Sequence, residues 1–468
     1  MDGRSAAPVT LRPIAFLARL KLFWSISAAK IRTLEQTWQP SDGAPVFTVA
    51  GRYQTRGWTQ WTEGFQYGSA LLQFDATGEH EFLELGYRRT VERMAPHVTH
   101  GGVHDHGFNN VSTYGALWRL AREGRLDASP ADLLFYELAL KASGAIQARR
   151  WTHLTLSAPG RVPAGFIYSF NGAHSLFVDT IRSLRALALA HRLGHALLGE
   201  QDASIDLLDR LLQHARATAQ YNVYYGQGRD RYDVRGRVAH ESMFNVASGT
   251  YRGPSTQQGY SPFSTWTRGL AWAMLGFAEL LELLDTLPDE SLRPHGGRED
   301  IETWMLEAAS ATCDFYVDQA AASDGVPYWD TGAPGLAALG DWRSRPSDPF
   351  NDHEPVDSSA AAIGAQGLLR LGHWLAARGR DGSRYEAAGL GVLDTLLEEP
   401  YLSTEPQHQG LLLHTIYHRP NGWDHTPAGS RIPRGESCQW GDYHLRELAL
   451  YVQRLALGKP YLAFFGPV

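Results

Sequence analysis

The chain has 468 residues, of which 43% are apolar, and a formal charge of −7. That composition supplies a large buried core, and the negative balance, with no basic run interleaved with aromatics, excludes a nucleic-acid partner. Two cysteines, Cys313 and Cys438, are too few for a disulfide framework or a thiolate zinc site, so both read as thiols in a reducing compartment, and the expected location is cytoplasmic.

Taken in order, the chain opens on an apolar patch, 22–29, bracketed by Arg19, Lys21 and Lys30. The patch is too short to span a membrane and lacks the layout of a cleavable signal, so no membrane partner is expected. It reads instead as part of a first amphipathic helix. Twelve helical stretches follow from apolar spacing, at 10–36, 61–77, 79–95, 107–123, 130–149, 175–194, 198–220, 264–286, 298–322, 357–376, 382–399 and 438–457. Some, such as Ala186–Ala190, are apolar nearly all round and should be buried on every side. No long alternating strand is seen.

Long Gly-, Pro-, His- and Trp-rich connections occur at 37–60, 96–106, 150–174, 221–263, 323–356 and 400–437, and short ones alternate with them. If successive helices run up and down, all six long connections emerge at one end, where function gathers on a rigid scaffold. Twelve such helices imply six hairpins closed into a double ring. The expected fold is therefore all-α, an (α/α)6 barrel, with residues 1–468 as one domain and 1–36 as its first helix.

Three regions carry candidate chemistry. The 96–106 connection holds His97, His100, His104, Asp105 and His106. The cluster suggests a metal site, but no helix-borne ligand pair accompanies it, and in an extended segment Asp105 would point away from both neighbouring histidines. No metal and no cofactor is expected; the competing reading puts Asp105 at the rim with His104 orienting it or touching substrate. Asp179 lies in what reads as the first turns of an apolar helix. It is either a partner for the helix dipole or a half-buried acid whose pKa burial raises, fit to donate a proton near neutral pH. The third region, Gln257–Trp272, runs from a Gly/Pro loop into a helix with Ser264 as its expected N-cap. Arg268 then falls near the positive end of that helix, flanked by Trp266, Trp272, Tyr260 and Gln258. A pocket for an anionic ring fits this pattern, and so does a solvated arginine over two core tryptophans. Farther on, Asp357 reads as a helix cap, and Asp330, Glu436 and Asp442 as carboxylates holding loops.

The order of these pieces resembles the unsaturated glucuronyl hydrolases, glycoside hydrolase family 88. The matching residues are His104-Asp105 with Gly107-Phe108, Asp179, Gln258-Gly-Tyr260, Trp266-Thr-Arg268-Gly, Ala271-Trp272, Val326–Asp330, Asp357–Ala361 and Gly441–Tyr443, with Trp61–Phe65 a looser match. The resemblance implies an enzyme that hydrates the C4=C5 double bond left by polysaccharide lyases on a non-reducing uronate. The hemiketal then opens and the neighbouring sugar leaves. The implied partner is an unsaturated uronyl di- or oligosaccharide, and the protein is expected to be a monomer or weak homo-oligomer.

By position, the resemblance makes Asp179 the general acid and base and Asp105 its helper. It assigns substrate contacts to Trp61, His240, Gln258, Trp266, Arg268 and Trp272, beside His104 from the loop reading above, with Arg268 able to hold the uronate carboxylate as a bidentate fork. The chain departs from the family pattern at His106, Thr180, Gln257 and Leu270, and by an insertion around Trp151–Phe170. Two rival readings use the same residues. One is an inverting glycosidase acting on saturated glycosides, which needs its carboxylates about 6.5–9.5 Å apart. The other is a non-catalytic sugar-binding barrel.

Overall fold

The computed structural model describes residues 11–56, 60–155 and 164–460. The middle of the expected insertion, 156–163, and the first residues of the expected leading helix lie outside the described residues.

Twelve helices dominate the described residues. They are α1 (Leu17–Thr37), α2 (Glu63–Thr77) and α3 (His80–Arg93). Helix α4 runs from His106–Asn110 through a π turn at Val111–Gly115 into Ala116–Arg122, and α5 is Pro130–Arg149. Helix α6 comprises Thr180–Ser183 and Arg185–Arg192, and α7 is Leu207–Tyr221. The rest are α8 (Thr267–Leu284), α9 (Arg298–Phe315), α10 (Ser358–Ala376), α11 (Ser383–Leu396) and α12 (Gln439–Ala456). The even-numbered helices pack side by side, α2 on α4, α4 on α6 and so on, until α12 returns to α2. The odd-numbered helices lie outside them: α3 on α2, α5 on α6, α9 on α8, α11 on α10. This is the (α/α)6 barrel.

Burial explains which helices go inside. Nearly every residue of α8 and α10 is buried, and Ala186–Ala190 of α6 are at most 1% exposed. A helix with apolar residues on every side gains only where both faces are covered. Glycine lets the inner helices approach closely: a methyl group at Gly367 of α10 would fall 2.7 Å from the Met274 backbone of α8.

Among the described residues the strands are short. They include the hairpin pairs β1–β2 (Phe47–Val49, Arg52–Gln54) and β3–β4 (Trp151–His153, Gly165–Ile167). Strands β5 (Ser175–Phe177), β8 (Glu241–Asn245) and β9 (Thr250–Ser255) form a three-stranded sheet, and β6 (Ala196–Leu198) pairs with β7 (Ser204–Asp206). Two of these correct the sequence reading. Residues 175–177, expected as helix, pair antiparallel with β8, Phe177 opposite Glu241. Leu176, Phe177 and Val178 are wholly buried there, and such sheet packing outweighs helical spacing. Residues 198–206, also expected as helix, form the β6–β7 hairpin instead, and α7 starts at Leu207, capped by Asp206 accepting the Leu208 N–H at 2.9 Å. The N-terminus of α8 is also shifted. Trp266 takes the N-cap position, and Ser264 donates to the Ser261 carbonyl instead of capping.

Candidate active site

Five of the expected long connections meet at one pocket of about 600 Å³ of atom-free space, part of it open to solvent. Four put side chains into it: His104 and Asp105 from 96–106, Phe170 from 150–174, Gln257 and Gln258 from 221–263, and Tyr417, His418 and Trp423 from 400–437. The fifth, 323–356, braces the rim, where Asp330 accepts the Tyr260 N–H at 2.8 Å. Trp61, Phe108, Asp179, Trp266, Arg268 and Trp272 complete the lining from the helix ends. Tyr260, read from sequence as a flank of the pocket, is 52% exposed and lies outside the lining.

Asp105 and Asp179 hold equivalent places. Each is the N-cap residue of an inner helix, α4 and α6, yet neither side chain caps its helix. Both turn toward one ring. His104 Nε2 lies 3.1 Å from Asp179 Oδ1 and 3.5 Å from Asp105 Oδ1. The local backbone explains this: Asp105 has φ −93°, ψ 16°, not the extended geometry that would have sent it away from His104. Gly107 permits the close approach of the starts of α4 and α6, since a methyl group there would meet the Ser183 carbonyl oxygen at 2.3 Å. The His104 carbonyl is then fixed by Gln147 Nε2 and Ser183 Oγ, both at 2.8 Å.

The electrostatics reverse one sequence expectation. Asp179 is buried rather than half-buried, and burial pushes its pKa up. The hydrogen bond and charge of His104, with the charges of His240 and Arg268, outweigh burial and hold the carboxyl below its ordinary value. Asp105 is the raised acid: burial lifts it to about 6, with His104 pulling it down and the Asp179 charge pushing it up. His104 is itself made more basic, because the two carboxylates outweigh its burial.

Arg268 is not the free fork that its position suggested. Its guanidinium is 1% exposed, and both terminal nitrogens are engaged. One donates to Asp357 Oδ2 at 3.0 Å and to the Ile416 carbonyl; the other donates to Gln258 Oε1 at 3.1 Å and to the Tyr417 carbonyl at 2.7 Å. A guanidinium has five N–H donors, so four are spent inside the protein. Arg268 therefore clamps the 416–424 loop, whose Tyr417 and His418 N–H groups are held from the other side by Asp424.

His240 is also displaced from its expected place. It does not line the pocket but backs the Gln257-Gln258 turn. Its Nδ1 accepts the N–H groups of both residues, at 3.0 and 3.4 Å. The ring rests on Phe177 and Trp266, and burial lowers its pKa to about 4. A neutral ring accepting at Nδ1 carries its proton on Nε2.

The aromatic walls are braced from behind. Trp61 stacks on Trp440 at 4.9 Å, and Trp272 meets Phe108 at 4.9 Å and His444 at 5.0 Å. Two other histidines of the 96–106 loop, His97 and His106, serve structure. His97 bridges Glu63 and Asn109, and His106 bonds Ser143 and the His100 carbonyl. Among the described residues, no group of three His, Cys, Asp or Glu side chains is arranged to hold a metal ion. Asp357 caps α10 through the Ser359 N–H and also pairs with Arg268. Asp442 and Glu436 hold loop N–H groups, as expected from their loop positions. Phe170, Gln257, Tyr417, His418 and Trp423 were not foreseen. The aromatic richness of their loops was the available signal.

No protein-family model matches the chain. It is 25% identical over 427 residues to an unsaturated glucuronyl hydrolase of Bacillus sp. strain GL1, covering 88% of this chain and 91% of that protein. Another, from Formosa agariphila, is 25% identical over 398 residues, covering 85% and 81%. An unsaturated chondroitin disaccharide hydrolase of Streptococcus pyogenes is 24% identical over 411 residues, covering 86% and 84%. In fold, the unsaturated glucuronyl hydrolase of Streptococcus agalactiae superposes with a TM-score of 0.67 at 19% identity, covering 96% of this chain and 97% of that one. The Bacillus sp. GL1 structure superposes at 0.64 and 20% identity, covering 92% and 95%. Along most of its length and in its fold, this chain is similar to the unsaturated glucuronyl hydrolases, as its motifs implied.

Proposed function

We propose that this protein is a hydrolase that hydrates the C4=C5 double bond of a non-reducing unsaturated uronic acid in lyase-generated oligosaccharides, releasing the neighbouring sugar. The observation that carries the reading is the pair Asp105–Asp179, bridged by His104 inside an aromatic-walled pocket. The substrate is a vinyl ether, and protonation of C4 is its hard step. That step calls for a positioned acid, not a nucleophile. Asp179 donates the proton to C4 and then takes one from the water that adds to C5. Asp105, whose pKa burial lifts to about 6, stores a proton beside it and holds ring hydroxyls. An arriving uronate carboxylate adds negative charge to the pocket, which raises the pKa of Asp179 toward the value an acid needs. Adding water across C4=C5 leaves a hydroxyl on C5 next to the ring oxygen, and this hemiketal opens. The hemiacetal exposed at C1 then collapses and releases the sugar alcohol.

Trp61, Trp266 and Trp272 form walls for the sugar ring. Gln258, held by Arg268 and by His240 behind it, offers its amide to the substrate. Arg268 acts through the loop it clamps and through its charge near Asp179. The same proposal takes the chain as one barrel domain, monomeric or weakly self-associating, and cytoplasmic. Among the described residues, no helix is long and apolar enough to cross a membrane.

The test is a panel of lyase digests followed by ultraviolet absorbance. Decay of the unsaturated uronate signal is expected, with no action on the saturated disaccharide. No decay with any digest would overturn the proposal, and cleavage of the saturated sugar would install the glycosidase in its place.

A further inference from the structure

The segment 257–266 leaves the pocket and returns to it. Gln257 and Gln258 line the pocket at one end and Trp266 at the other. The tip between them carries two exposed rings, Tyr260 at 52% and Phe263 at 44%. A third ring, Tyr232 at 47%, comes from earlier in the same 221–263 connection and stacks on Phe263, with centroids 4.6 Å and planes 25° apart. Aromatic surface left in water costs free energy, and a group of such rings beside a binding pocket marks a surface that a ligand covers.

The group is held in place from beneath. Arg237 is buried and donates to the carbonyls of Tyr232 at 2.7 Å, Pro262 at 3.3 Å and Ser264 at 3.4 Å, which ties the two aromatic segments together. Asp330 accepts the Tyr260 N–H, the Thr331 hydroxyl accepts the Thr265 N–H at 3.0 Å, and the Ser261 hydroxyl accepts the Phe263 N–H at 3.1 Å. Rings fixed through their backbone lose little freedom when a ligand arrives. Among the described residues, the other exposed Phe and Tyr rings lack this link to the pocket. Tyr87 and Phe135 lie on the outer helices α3 and α5, and Phe350 lies on 323–356, which lends the pocket no side chain.

The proposed reaction supplies the occupant, and the inference rests on it. A non-reducing uronate enters the pocket, so sugars beyond the leaving residue must stay outside its mouth. We infer that these sugars lie on the shelf formed by Tyr232, Tyr260 and Phe263, and that the protein favours oligosaccharides longer than a disaccharide. A pyranose presents an apolar C–H face that packs on an aromatic ring. Stacking of this kind asks for no particular hydroxyl pattern, so the shelf sets a preference for chain length and leaves the choice of sugar to the pocket.

The test compares the unsaturated disaccharide and tetrasaccharide from one lyase digest on the whole protein. The tetrasaccharide should show about tenfold higher kcat/KM, through a lower KM. Replacing both rings, Tyr232→Ala with Phe263→Ala, should remove that preference. Damage to the fold alone would lower both substrates together and leave their ratio standing. Equal kcat/KM in the wild type, or a preference that survives both substitutions, overturns the inference. Calorimetric binding of the same two sugars to Asp179→Asn repeats the comparison without turnover. Tighter tetrasaccharide binding there upholds the shelf, and with no loss of double-bond absorbance in the wild type only the proposed reaction would fall. Equal binding of the two, or binding of neither, overturns the shelf.

Discussion

His104 Nε2 stands 3.1 Å from Asp179 Oδ1, a contact between the N-terminal ends of two neighbouring inner helices. It couples two helix-end carboxylates through one ring, because the same nitrogen also lies 3.5 Å from Asp105 Oδ1. Removing it has a calculable sign. Without His104, burial dominates at Asp179 and its pKa rises. An acid that must hold its proton loses activity as pH rises through its pKa. For His104→Ala, the descending limb of kcat/KM against pH should therefore move to higher pH, with a rate loss of about 10²-fold. An unmoved limb would show that His104 does not govern Asp179.

Asp179→Asn should lower kcat by roughly 10³-fold or more while substrate still binds, since an amide fills the same space without a proton to exchange. Stopped absorbance assays paired with equilibrium binding check this. Substantial residual turnover would move the acid role elsewhere, with Asp105 the next residue to test.

Asp105 links stability to pH. Its pKa is raised to about 6 in the folded chain, above the ordinary value near 3.8. The folded state therefore binds the proton more tightly. That contribution is fully present below pH ~4 and is lost as pH rises through about 6, by at most about 3 kcal/mol. Asp105→Asn removes the penalty of ionisation, so the variant should match the wild type at pH 4 and unfold at higher temperature by pH 7. Parallel melting curves across that range would contradict the assigned shift.

Arg268→Met leaves Asp357 buried without its cation and frees the 416–424 loop. A loss of about 3 kcal/mol in stability is expected. Arg268→Lys, which keeps the charge but cannot span Asp357, Gln258 and two carbonyls, should fold and bind substrate more weakly, raising KM more than it lowers kcat. Unchanged KM in the lysine variant would argue against the clamp.

Much of this was legible without coordinates. Helical spacing located the α2, α5, α10, α11 and α12 helices to within a few residues, because apolar periodicity is a local property that burial then enforces. The alternation of long and short connections likewise announced a ring with one functional rim, and the motif order brought Asp105, Asp179, Gln258, Trp266, Arg268 and Trp272 into a single pocket. Where the reading failed, the deciding partner was distant in sequence. Residues 175–177 became a strand because β8, more than sixty residues on, offers it hydrogen bonds and cover. Asp179 lost its raised pKa to a histidine 75 positions away. Arg268 spends its donors on carbonyls about 150 positions beyond it. Which helix-end side chains reach the pocket follows from the order of residues along each helix. How their charges are shared depends on which loops meet, and only the folded ring brings those loops together.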